Sequence, residues 1–181
     1  MIAAVPRPRP PNALVGTMVL VGAEAMLFLG LVSSFVLLRS QYVTWPPLGQ
    51  PRLGVLATGV NTGVLLASGA AVWWAGRRRG ARPRALAIAT ALAVAFLVGQ
   101  GREWVGLVDY GLSAASVYGS LFYAVVGAHA VHVAVSVGIL GWATLAAHRG
   151  HWSDGAQRAL GLWWAFVVGL WPALYALVYL W

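Results

Sequence analysis

"VYGSLFYAVVGAHAVHVAVSVGILGWATLAA", residues 117–147, runs for 31 positions without an Asp, Glu, Lys or Arg. A membrane-crossing helix needs roughly 20 apolar residues, so this stretch can cross a bilayer with tilt or protrude from it. Working outward in both directions, four more runs meet the same test: Leu14–Leu38, Leu53–Ala75, Ala85–Gln100 and Leu160–Leu180. The run Ala85–Gln100 is short unless it continues through Glu103 to about Val108. Hydrophobic residues make up 60% of the 181 and charged residues 9%, whereas a soluble domain carries about a quarter charged residues. The expected fold is an all-α integral membrane protein, a bundle of five transmembrane helices. With no Cys, neither a disulfide framework nor a thiolate metal site is available.

The charges set the expected topology. Twelve arginines against four acids would elsewhere suggest nucleic acid, but these arginines fall between the apolar runs, so no nucleic-acid partner is expected. With the N-terminus inside, the inner segments hold Arg7, Arg9, Arg77, Arg78, Arg79, Arg82, Arg84, Arg149 and Arg158. The outer segments hold Arg39, Arg52 and Arg102. Cytoplasmic loops carry the excess of basic residues, which places the N-terminus in the cytoplasm and the C-terminus outside. A Pro- and Arg-rich cytoplasmic tail (residues 1–13) is followed by one membrane domain (residues 14–181). The first apolar run is too long for a signal-peptide core and is expected to be retained. Trp45, Trp73, Trp74, Trp104, Trp152 and Trp181 fall near the predicted helix ends, as an aromatic belt would.

His129 and His132 then lie deep in the membrane. At ~1.5 Å rise per residue, His129 is roughly 18 Å below the outer end of its helix. His132 is about one turn deeper on the same face. Two haem ligands must approach from opposite sides of the ring, which one face of one helix does not allow. A zinc site needs three or four ligands, and only Glu24 is placed to join the pair. Polar helix packing is the expected role, with no haem or metal bound by this chain and no catalytic residue. Glu24, about ten residues into the first helix, is the stronger functional candidate, because an intramembrane carboxylate is costly. It should be protonated or hydrogen-bonded, and matching depth makes His129 its expected partner. The pair either ties two helices together or modulates proton movement.

Other features read as architecture. Gly59 and Gly63 in "GVNTG" form a GxxxG step for close helix approach, and Gly127 and Gly138 are expected to serve packing likewise. Asn61 and Thr62 are placed for an interhelical hydrogen bond. "RRRGARPR" (residues 77–84) is a cytoplasmic loop within reach of anionic lipid, and its first reading is a plain topology signal. Glu103 and Asp109 lie at the outer surface, and Pro172 should kink the last helix or mark a protein contact.

In order along the chain, "GAEAMLFLG" with Glu24, "WPP" at Trp45–Pro47, "NTGVLLASG" at Asn61–Gly69 and "GQGREW" with Glu103 form a recognisable series. It continues through "VYGSLFYAVVGAHAVHV" at Val117–Val133 to the closing "WWAFVVGLW". This series resembles subunit III of the haem–copper terminal oxidases, in its short five-helix form, from about Leu14 to Trp181. The resemblance implies a non-catalytic subunit that binds no haem or copper itself. It would pack beside the catalytic subunit I, which carries those cofactors, hold membrane phospholipid and support proton uptake and durability of the complex. The setting implied is the inner membrane of a bacterium. On that reading Glu24, Asn61, His129 and His132 are intramembrane polar residues of the family type, and Trp45 and Glu103 belong to an outer-surface motif. Two features depart from the family pattern. The His and Asp usual in its last helix are replaced by Ala165 and Val168, and the two extra N-terminal helices of the longer form have no counterpart. The alternatives are the subunit-III-like partner of a nitric oxide reductase and a small proton-coupled transporter. The latter would show internal pseudo-symmetry or broken helices, which the sequence does not.

Overall fold

The computed structural model describes residues 12–51 and 53–181. Most of the Pro- and Arg-rich tail, with Arg7 and Arg9, and the loop residue Arg52 lie outside the described residues. Five helices are long and apolar enough to cross a membrane: α1 (Asn12–Arg39), α2 (Val55–Arg77), α3 (Arg79–Asp109), α4 (Val117–His148) and α5 (Asp154–Leu180). The doubtful third run does continue through Glu103. Helix α5 starts six residues before its apolar run, because the Ser153 side chain accepts a hydrogen bond from the Ala156 amide and caps the first turn. Pro172 lies inside α5 and the helix continues through it, turning π-helical at Ala176–Leu180. A second π-helical stretch, Tyr123–Gly127, interrupts α4 one residue before the histidine segment begins.

Helix α2 packs along α3, α3 along α4, and α5 lies against α2, α1 and α4. Helix α1 rests on α5 and on the π-helical turn of α4. The result is a core centred on α5 and a peripheral first helix: 39% of the apolar window of α5 is buried, against 11% in α1. Met18, Val19, Met26 and Leu29 of α1 accordingly face outward. Outward apolar residues are stable when the solvent is lipid, which has no hydrophobic penalty to impose.

Small residues act where helices meet, though not at every expected position. A Cβ on Gly59 would lie 3.0 Å from the Tyr175 hydroxyl, and one on Gly99 would lie 2.8 Å from Asn61 Oδ1. Gly63, Gly127 and Gly138 face open space, so the GxxxG step closes a helix contact through its first glycine only, and the packing role expected of Gly127 and Gly138 is corrected.

Candidate functional site

Glu24 sits in the middle of α1 and meets α4 through His132: Glu24 Oε2 and His132 Nε2 are 2.9 Å apart. The pairing with His129 expected from depth is therefore corrected. The two imidazoles sit three residues apart, and that rotation around α4 turns His132 towards α1 and His129 into the core. His132 Nδ1 lies 2.7 Å from the Ala128 carbonyl. A carbonyl only accepts, so Nδ1 carries a proton. Nε2 then accepts from a protonated Glu24 carboxyl in the neutral pair, or donates to a carboxylate in the ionic one. The contact holds one proton in either state.

Phe28 meets both imidazoles edge-on, at 5.2 Å from His132 and 6.5 Å from His129. His132 also lies beside Trp163, and Trp163 Nε1 donates to Ser136 Oγ (2.8 Å), which in turn donates to the His132 carbonyl (2.6 Å). The pair thus lies at one end of a chain of contacts across α1, α4 and α5. An apolar groove of about 550 Å³, lined by Leu20, Val135, Ile139, Trp142 and Trp163 among others, opens beside Glu24 and His132.

His129 is 1% exposed, with its ring stacked on Trp171 at 4.9 Å. Neither of its ring nitrogens has a hydrogen-bond partner. Its face is taken up by an aromatic surface rather than by an acid or a second ligand. Among the described residues no three His, Asp or Glu side chains gather as a metal ion would require.

Asn61 belongs to a separate cluster. Its Nδ2 donates to the Phe96 carbonyl (2.9 Å) and, at 3.4 Å, to Gln100 Oε1, and Gln100 Nε2 donates to the Tyr179 hydroxyl (3.0 Å). This ties α2, α3 and α5 together inside the bundle. Thr62 accepts from Trp171 Nε1 at 2.9 Å and donates to the Thr58 carbonyl. The interhelical bonds expected of Asn61 and Thr62 are present. Gln100, Tyr179, Trp171 and Trp163 are the members that sequence reasoning missed. Gln100 had a signal, being an amide inside an otherwise apolar run. The tryptophans had none, since only folding reveals which indole N–H finds a hydroxyl one helix away.

At the end of the bundle where α1 and α3 finish, Glu103 lies against the first turn of α2: a Cβ on Gly54 would fall 2.5 Å from its carboxylate oxygen. Glycine lets the acid approach the helix N-terminus, where negative charge is favoured. Trp45 precedes a cis peptide to Pro46 and packs edge-on against Phe35, Tyr42 and Tyr118. Arg39 lies 4.0 Å over the Trp181 ring and donates to the Trp181 carbonyl, so the loop, α1 and the end of α5 meet there. Glu103 and Trp45 therefore both lie where helix ends come together.

The sequence matches the family model of cytochrome c oxidase subunit III over residues 12–181. The chain belongs to that family. The cytochrome c oxidase subunit 3 of Synechocystis sp. is 31% identical over 181 residues, covering 94% of this chain and 76% of its own length. That of Thermostichus vulcanus is 30% identical over 183 residues, covering 94% and 88%. An animal relative, from Pisaster ochraceus, is 33% identical over 149 residues, covering 77% of this chain and 56% of its own. Within subunit III, the match takes in all five helices described above and the segments that carry Glu24, Asn61, Glu103, His129 and His132.

Proposed function

We propose that this chain is the non-catalytic third subunit of a respiratory haem–copper oxidase, which reduces oxygen to water and pumps protons. It sits in the inner membrane of a bacterium, N-terminus inside, beside a catalytic subunit that carries the haems and copper. Its work is assembly, lipid retention and support of proton uptake. The observation that carries this reading is the family match over residues 12–181. The architecture is in keeping: five apolar helices whose deepest polar groups are spent on one another or on ring stacking, with an apolar outer face on α1 suited to lipid or a neighbouring subunit.

Glu24, His132, His129 and Asn61 are read as polar residues that fix helix positions, with the Glu24–His132 pair the one contact built to hold a mobile proton. Affinity purification of the full chain from mild detergent tests the assignment. It should bring down a catalytic subunit with haem and copper in stoichiometric amounts, and the complex should consume oxygen with proton release. Recovery with a catalytic subunit that reduces nitric oxide would move the chain to the alternative complex. Recovery alone, with transport or redox activity of its own, would overturn the subunit reading.

A further inference from the structure

At the end of the bundle where α2 stops and α3 and α5 begin, an open cavity of about 390 Å³ lies between the three helices. Four guanidinium groups line it, Arg77, Arg79, Arg82 and Arg158, with a single carboxylate, Asp154. Four positive charges less one negative leave the cavity at net +3. Both oxygens of Asp154 are engaged: it pairs with Arg79 through Oδ2 and accepts from Arg82 Nη2 at 2.8 Å through Oδ1. Arg82 is almost buried and spends its Nε on the Ala75 carbonyl (3.2 Å). Among the described residues neither Arg77 nor Arg158 reaches a carboxylate. Arg77 lies 4.0 Å over the outward-facing ring of Trp73, which holds its charge at the helix end. Below this cationic rim the wall turns apolar, with Val72 and Trp164; Val168 of α5 packs against Gly69, and Gly161 leaves the groove open beside it.

We infer that this cavity binds the phosphate of an anionic glycerophospholipid, with the start of an acyl chain lying in the groove beneath it. A phosphodiester accepts charge-assisted hydrogen bonds from several guanidinium groups at once, and basic pockets between membrane helices are suited to such headgroups. The apolar wall distinguishes the site from one built for free phosphate, which has nothing to place against Val72 and Trp164. Trp73 sets the depth, since aromatic rings of this kind lie at the headgroup level. The site is separate from the groove beside Glu24, which lies between α1, α4 and α5. The inference rests on the membrane-subunit reading only for the lipid environment.

The test uses the full chain in whatever assembly it purifies in, delipidated and held in neutral detergent. Its thermal unfolding is followed while phosphatidylglycerol, phosphatidylcholine or inorganic phosphate is added. Phosphatidylglycerol should raise the midpoint saturably and phosphatidylcholine should not. The Arg77→Gln/Arg158→Gln double variant removes the two arginines that no carboxylate holds, so it should unfold like the parent without lipid. It should need roughly tenfold more phosphatidylglycerol for the same effect, whereas Arg102→Gln/Arg149→Gln should not. No response to phosphatidylglycerol, or an equal response from both double variants, would overturn the site. An equal response to inorganic phosphate would overturn the lipid assignment. Loss of a co-purifying subunit from the Arg77/Arg158 variant, without change in lipid response, would mean that a protein partner fills the cavity. Because the purification test reads subunits and this one reads headgroups, either reading fails without the other.

Discussion

Glu24 and His132 meet on the flank of the bundle, whereas Asn61, Gln100 and Tyr179 meet inside it. The flank pair joins two helices, is made of groups that can carry charge, and borders an open apolar groove. The inner cluster joins three helices and is made of neutral amides and a phenol, with Gln100 3% exposed. A neutral donor and acceptor can be sealed in hydrocarbon once each has its partner. A pair that trades a proton between carboxyl and imidazole changes its dipole as the proton moves, and a flank position lets water or a neighbouring subunit respond. The inner cluster is thus suited to holding helices, and the flank pair to holding helices and a proton.

Trp171 belongs to the inner region and reaches the flank pair only indirectly, through His129 and Phe28. It stacks on His129, meets Phe96 and Tyr179 edge-on, and donates to Thr62. Trp171→Ala should therefore weaken both sites together and cost ~3–5 kcal/mol, the usual range for deleting a buried aromatic. The expected readout is loss of the subunit from the detergent-solubilised complex, or failure to accumulate in the membrane. An effect under about 1 kcal/mol in thermal unfolding would show that the two regions are not mechanically joined through this ring.

Next in size is the inner cluster alone. Gln100→Leu strands the Tyr179 hydroxyl and one contact of Asn61, at ~1–3 kcal/mol for a buried group left unpaired. Tyr179→Phe removes the hydroxyl instead of its partner and should cost less, about 1 kcal/mol. Thermal unfolding of the complex should rank Gln100→Leu as the more harmful, with oxygen consumption of the surviving fraction unchanged. Slowed turnover at unchanged stability would give the inner cluster a role in proton supply and erase the contrast with the flank.

How much of this was legible follows the same division. Helix number and most boundaries were legible because hydropathy and length alone determine which segments cross a membrane. Glu24 stood out because a carboxylate at that depth is so unusual. Its partner was misread, because depth distinguishes residues along a helix axis but not around it. His129 and His132 differ in azimuth, and azimuth is set by which helices pack together, with the π-helical turn at Tyr123–Gly127 just upstream. The inner cluster was half visible: Asn61 is conspicuous in an apolar run, but its link to Tyr179 spans more than a hundred residues. The arginine-lined cavity was visible only as a run of arginines, since Asp154 and part of the groove come from another helix.

Replacing Glu24 with Leu and with Gln separates what the flank pair does. Glu24→Leu leaves His132 Nε2 without a partner beside an apolar groove, which should cost about 1 kcal/mol, the low end for an unpaired group because the imidazole is partly exposed. The smaller change is the more informative one. In Glu24→Gln the amide N–H can donate to Nε2 as a protonated carboxyl would, while the Ala128 carbonyl keeps the proton on Nδ1. If the native contact is neutral, retention of the subunit during purification and the thermal midpoint should match the parent within about 0.5 kcal/mol. If it is ionic, the amide cannot balance an imidazolium, and Gln should be as harmful as Leu. Turnover sharpens the test further, because Gln keeps the hydrogen bond but cannot exchange a proton through it. Unchanged stability with normal turnover and normal durability would make the pair purely structural, like the inner cluster. Unchanged stability with faster inactivation during turnover would assign the flank its proton.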